Sequence, residues 1–167
     1  MLTILPKSFA KHFVAILRDL DFYNTDCPII GAKSRSIRAL AAACDVKLPK
    51  VYHQVQLLIG QGAGELFIGS CFKISELHQD LVKDLNDMLA LDGLELLPEK
   101  AFVFMHHQGY IFNWFIADGA QDPVVYEYSE GSIEILCSGY TYTEWMLVSL
   151  AGHRKAHRQV TYGEFSS

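Results

Sequence analysis

Between residues 101 and 152 there is no lysine and no arginine. A region with that balance repels nucleic acid and attracts basic partners, so no nucleic-acid binding is expected of it. Cysteine is scarce as well. Cys27, Cys44, Cys71 and Cys137 are the four, and no two of them form a CxxC pair. That spacing excludes a dense secreted disulfide framework and predicts buried free thiols. Long apolar runs are missing. Ala101–Ala117 carries no formal charge, but His106, His107, Gln108, Gly109 and Asn113 interrupt it. A membrane span needs about 20 mostly apolar residues, so none is expected. Lys7, Lys11 and Arg18 break any apolar segment near the N-terminus, and no small-residue cleavage site follows. A secretory leader is therefore not expected, and a cytoplasmic location is the default. There are no repeats and no low-complexity segments.

What is there describes one folded domain. The chain has 167 residues, half of them apolar and a fifth charged, with ten Phe, eight Tyr and two Trp for a core. This composition excludes intrinsic disorder, and the length suits a single domain that needs no staples. The net charge of −5 is unevenly spread. Residues 1–50 hold eight Lys/Arg against four Asp/Glu. Residues 101–152 hold six acids and nothing to offset them: Asp118, Asp122, Glu127, Glu130, Glu134 and Glu144. Such a block is either a solubilising surface or a face for a basic partner.

Periodicity divides the chain into helices first and strands later. Phe9, Phe13, Ile16, Leu17 and Leu20 recur at helical spacing after Pro6. Asp21–Lys33 reads as a loop. Ser34 is expected to cap a second helix carrying Ile37, Leu40, Ala41 and Cys44. After Leu48-Pro49 a third helix is expected from Lys50 to Gly60, with Val51, Val55, Leu58 and Ile59 inward, and a sharp turn at Gly60, Gly62 and Gly64. Glu65–Lys73 reads as a short strand. Ser75 is the expected cap of a fourth helix, striped by Leu77, Leu81, Leu85, Met88 and Leu89 and ended by Gly93. Ala101–Met105 and Tyr110–Ala117 form an expected hairpin, and Val124–Tyr128 and Ile133–Cys137 a second one. Thr143 is the expected cap of a short last helix with Trp145. The fold class is therefore α+β, a mostly antiparallel sheet flanked by helices.

Most chemistry fails on context. Gly60-Gln61-Gly62-Ala63-Gly64 ends a helix and lacks a following Lys-Ser/Thr, the reverse of a phosphate loop. His106 and His107 are adjacent, so on a strand they point to opposite faces. His153 and His157 sit among Arg154, Lys155 and Arg158, which repel a metal cation. No GxSxG occurs and no Cys lies in a catalytic motif. We expect no enzyme, no cofactor and no metal.

The remaining motifs resemble the SUKH superfamily, which holds fungal Smi/Knr cell-wall regulators and many bacterial toxin-immunity proteins. They are Leu48-Pro49 with Tyr52, the Gly60–Gly64 turn, Gln108-Gly109-Tyr110 leading into an aromatic strand with Phe112 and Phe115, and Asp118-Gly119. Asp122-Pro123-Val124-Val125-Tyr126 follows, then Tyr142-Thr143-Glu144-Trp145-Met146-Leu147. The family often has a second proline where Val124 stands. The resemblance spans residues 34–150, leaving residues 1–33 as an N-terminal helix and loop extension and 151–167 as a basic tail. Pro49, Gly109, Asp122, Pro123 and Tyr126 read as residues that make the fold: proline fixes φ, aspartate accepts backbone N–H groups in a turn, and glycine permits a tight turn. The resemblance implies a non-enzymatic binding protein that neutralises a cognate toxin, such as a nuclease or deaminase with a basic cleft. The alternative is a housekeeping scaffold with several cellular partners. An acidic sheet surface would dock on such a cleft, with contacts at Asp118, Glu127, Glu130, Glu134 and Tyr128.

Overall fold

A computed structural model describes residues 6–20 and 26–162, with side chains up to His153. The elements run α1 (Pro6–Asp19), β1 (Ile29–Ile30), α2 (Ser34–Ala43), α3 (Lys50–Ile59), β2 (Gly62–Ala63), β3 (Ser70–Cys71), α4 (Leu81–Leu91), β4 (Ala101–His107), β5 (Ile111–Ile116), β6 (Val124–Ser129), β7 (Leu136–Thr141) and α5 (Tyr142–Tyr162). Strands β3 to β7 form an antiparallel meander in sequence order, and β1 pairs with β2 in a separate two-stranded ribbon. The architecture is α+β. Among the described residues no helix is long and apolar enough to cross a membrane.

The sheet is covered on both faces because its central strand is apolar on both. Phe112, Trp114 and Phe115 are all buried in β5. On one face Phe102, Phe104 and Phe115 meet Tyr52 of α3 and Tyr142 of α5. Tyr52 is the hub, with ring centroids 5.6 Å from Phe102, 5.6 Å from Phe115 and 5.5 Å from Tyr142. Edge-on packing of this kind adds to the burial of the rings themselves. On the other face Trp114 stacks on Tyr126 at 4.5 Å, and α4 lies over β4. Helix α1 packs on α3 and buries Phe9, Ala10, Phe13, Val14 and Leu17 in the same core.

The β4–β5 turn carries φ +49° at Gln108 and +80° at Gly109, with the Tyr110 N–H donating to the His107 carbonyl at 3.1 Å. Two consecutive positive φ values match the right-handed twist of the strands and call for glycine. His106 and His107 thus belong to β4 rather than to the turn. They point apart, His106 stacking on Phe112 and His107 meeting Ser70 at 3.0 Å.

Several local expectations are corrected. Of Asp21–Lys33, residues 21–25 lie outside the described part, and Ile29–Ile30 form β1 rather than loop. Ser34 is the first helical residue, not the cap. Lys33 holds that position without a side-chain bond, while the Ser34 hydroxyl accepts from Arg38 and lies 3.3 Å from His53. Gly62 is in β2. Of Glu65–Lys73 only Ser70–Cys71 is strand. Phe67 leaves the extended line at φ +66° and stacks on Trp145. Ser75 does not cap α4, which starts five residues later than that cap would set it. The Ser75 hydroxyl donates to Gln61, and the Glu76 carboxylate accepts from the Phe72 and Lys73 N–H groups, holding the segment in turns. The last strand is Leu136–Thr141, not Ile133–Cys137. The last helix is long: it continues through Tyr162 into the expected tail.

Candidate protein-binding surface

The six acids of residues 101–152 do not share one face. Four of them are engaged by the fold. Asp122 sits before β6, where its carboxylate reaches the start of α5: Oδ1 accepts from the Thr143 N–H at 3.0 Å and Oδ2 from the Thr143 hydroxyl at 2.6 Å. The Pro123 carbonyl takes the Tyr142 N–H at 2.8 Å, and Glu144 reaches back to the Thr141 N–H at 2.9 Å. These bonds satisfy donors that the first turn of a helix leaves open, and negative charge there suits the helix dipole. Thr143 is therefore held inside the first turn rather than capping it, and Asp122 and Pro123 form a clasp on α5. Glu127 accepts from the Nδ2 of buried Asn113, its cross-strand partner, at 3.0 Å. Asp118 accepts from the Ala120 N–H in its own turn.

Position separates them further. Strands β5 and β6 are antiparallel. Asp118 follows the end of β5 and bridges to Lys47, whereas Glu130 and Glu134 follow the end of β6 at the opposite end of the sheet. The expected contact set is corrected accordingly: Asp118 lies at the other end of the sheet from Glu130 and Glu134. Tyr128 is corrected as well: with 1% of its surface exposed it lies in the core and cannot anchor a partner. Burial, reinforced by the bond to Asp92, pushes its hydroxyl up to about 12. Tyr126 is half-buried against Trp114, as a fold residue would be. Pro49 and Pro123 are buried, and Gly109 makes the turn already described.

The remaining acids belong to a built feature that the sequence did not reveal. Asp92, just after α4, accepts both from the Tyr128 hydroxyl and from the Gly131 N–H, the latter at 2.8 Å. This clip ties the 130–135 loop to the end of α4, and Ile133 and Glu134 lie in that loop, before β7 begins at Leu136. Ile133 is 91% and Leu91 86% exposed, and Leu136 is exposed at the start of β7. Glu130 and Glu134 flank Ile133 on the same loop, and both are exposed. The two bases that bracket Leu91 in sequence, Lys83 and Lys100, are committed to Asp87 at 2.8 Å and to Asp45 at 2.7 Å. The loop thus presents an exposed apolar side chain, Ile133, with exposed acids on either side of it in sequence. Exposed large side chains rimmed by polar groups mark interaction sites. The separation arises from a contact between residues 92 and 131, which no local pattern encodes.

The chain matches no protein-family model, no curated protein and no solved structure. Among the described residues no three His, Cys, Asp or Glu side chains are grouped so as to hold a metal ion.

Proposed function

We propose that the protein is a non-enzymatic binding domain that neutralises a basic partner protein, in the manner of the toxin-immunity proteins its motifs resemble. The observation that carries the reading is the loop clipped by Asp92, which presents the exposed Ile133 between Glu130 and Glu134. An apolar centre supplies residence time, and acids around it steer a basic cleft into register. This relocates the contact surface from the sheet face to the loop end, retaining Glu130 and Glu134 and giving Asp118 and Glu127 structural roles. A toxin that acts on nucleic acid needs a basic substrate cleft, so it is the partner class that this surface complements.

The test is differential capture from the host's own lysate, using the wild type beside Ile133→Glu and the double variant Glu130→Lys/Glu134→Lys. All three positions are exposed, so folding is expected to be unchanged. One basic protein held by the wild type at low salt, weakened at high salt and lost from both variants is the expected result. The adjacent reading frame should encode it. Equal retention by all three chains refutes the surface. Several unrelated partners would instead favour the housekeeping scaffold.

A further inference from the structure

At the other end of the sheet lies a second built feature, a cavity of about 490 Å³ between α1, α2 and α3. Its floor is apolar: Ile37 and Ala41 of α2, with Val46 and Leu48 from the segment that follows. Its rim carries Lys7, Arg38, Lys47 and Lys50. Among the described residues no carboxylate lines it and no ion pair holds any of these four cations. The nearest acid along the chain on one side, Asp45, is taken by Lys100. The acid bridged to Lys47, Asp118, turns its carboxylate to the Ala120 N–H. Unpaired cations around an apolar hollow repel each other, an arrangement that an anion relieves. The hollow also receives the first turn of α3, the positive end of that helix.

The polar wall is organised rather than loose. Arg38 donates to the Ser34 hydroxyl at 2.8 Å, and that hydroxyl lies 3.3 Å from His53 Nε2. Burial and the neighbouring Arg38 lower the His53 pKa, which favours the neutral, hydrogen-bonding imidazole in this wall. The volume lies within the range of small-molecule sites, which combine an apolar lining with a few placed polar groups.

We propose that this cavity binds a small amphipathic anion, a phosphate or carboxylate head on an aliphatic or aromatic body. The head sits among Arg38, Lys47 and Lys50, and the body lies on Ile37, Ala41 and Leu48. Such a head group comes either from a free metabolite or from a lipid. The shared chemistry is a monoanionic or dianionic head next to at least a short apolar chain. The site is independent of the acidic loop at the far end of the sheet.

Calorimetric titration of the full chain with decyl phosphate, decanol and inorganic phosphate tests the proposal. Decyl phosphate is expected to bind once per chain, with decanol and inorganic phosphate each weaker by about tenfold or more, since each lacks one half of the recognition. Arg38→Glu/Lys50→Glu is expected to weaken decyl phosphate about tenfold or more. Both side chains are exposed, and an acid at the start of α3 favours that helix, so circular dichroism and the thermal midpoint should match the wild type. Ala41→Leu, which fills the floor, should weaken binding without touching a charge. Decanol binding as tightly as decyl phosphate, or the charge-reversed chain keeping its affinity, overturns the proposal. Sedimentation with phosphatidylglycerol and phosphatidylcholine vesicles separates the sources. Retention on the anionic vesicles together with binding of decyl phosphate supports a lipid head group, and decyl phosphate binding alone supports a free ligand. Retention on vesicles without binding of decyl phosphate means a flat basic patch and overturns the cavity.

Discussion

Replacing Asp122 with alanine removes both acceptors that hold Thr143 at the start of α5. Thr143 is 1% exposed, so its hydroxyl and N–H lose their partners in a place that water reaches poorly. Loss of a helix cap costs about 1 kcal/mol. A hydrogen bond to a charged acceptor contributes about 1.5–3 kcal/mol. Asp122 itself is half-buried, so part of the second figure is recovered by solvent, and a net loss of about 2–4 kcal/mol is expected. For a chain of this size about 1 kcal/mol moves the thermal midpoint by about 2–4 °C, giving a fall of roughly 4–16 °C. Thermal and urea unfolding followed by circular dichroism measure it. Asp122→Asn keeps an amide oxygen for the N–H and should lose about 1 kcal/mol. Combining Asp122→Ala with Thr143→Val removes the stranded hydroxyl, and the double-mutant cycle should return a coupling of about 1–2 kcal/mol. A midpoint for Asp122→Ala indistinguishable from wild type would refute the clasp. Asp122 would then be free to serve as an interface acid instead.

Four further outcomes follow from the structure. Gly31→Ala places a Cβ 2.0 Å from the Leu57 carbonyl oxygen, so the backbone must move, and a loss of about 3 kcal/mol or more is expected by chemical unfolding. Gly109→Ala meets nothing within 4 Å and has only its φ of +80° to oppose it, so about 1–2 kcal/mol is expected. Asp92→Ala unclips the 130–135 loop. Hydrogen exchange at Gly131 should rise and partner capture should fall, while the strands keep their protection. Burial raises the pKa values of Tyr52, Tyr128 and Tyr142 above the ordinary 10.0 of tyrosine. A raised acid pKa stabilises the folded state fully below the unfolded value and loses that contribution as pH climbs toward the folded one. Stability should therefore hold up to about pH 10 and decline above it, with tyrosinate absorbance appearing together with unfolding. Tyrosinate appearing at ordinary pH in the folded chain would contradict the burial.

Class and order were legible because they rest on local signals. Phe9, Phe13 and Leu17 repeat with the helical period and are buried together, and the alternation of β4 and β5 with Gly109 between them encodes a hairpin directly. The same local logic misplaced the caps. Ser34 and Ser75 have the right side chain for the role, yet the Ser34 hydroxyl is taken by Arg38 and lies by His53, and the Ser75 hydroxyl is taken by Gln61. The sequence also shows that the acids of residues 101–152 have no bases among them, and it cannot show that four are consumed within the fold. Pairing Asp122 with Thr143 spans 21 residues, and pairing Asp92 with Gly131 spans 39.

By itself, then, the sequence determined the α+β class, the helical stripes, the aromatic central hairpin and the uneven distribution of charge, because periodicity and turn chemistry act over a few residues. Only the tertiary structure decided where that charge is exposed. It spent Asp122, Glu127 and Glu144 on the fold and buried Tyr128. It also left Ile133 and Leu91 in water at one end of the sheet and gathered Arg38, Lys47 and Lys50 around a hollow at the other. Those outcomes depend on contacts closed across the chain, whose partners are selected by packing and not by their neighbours in sequence.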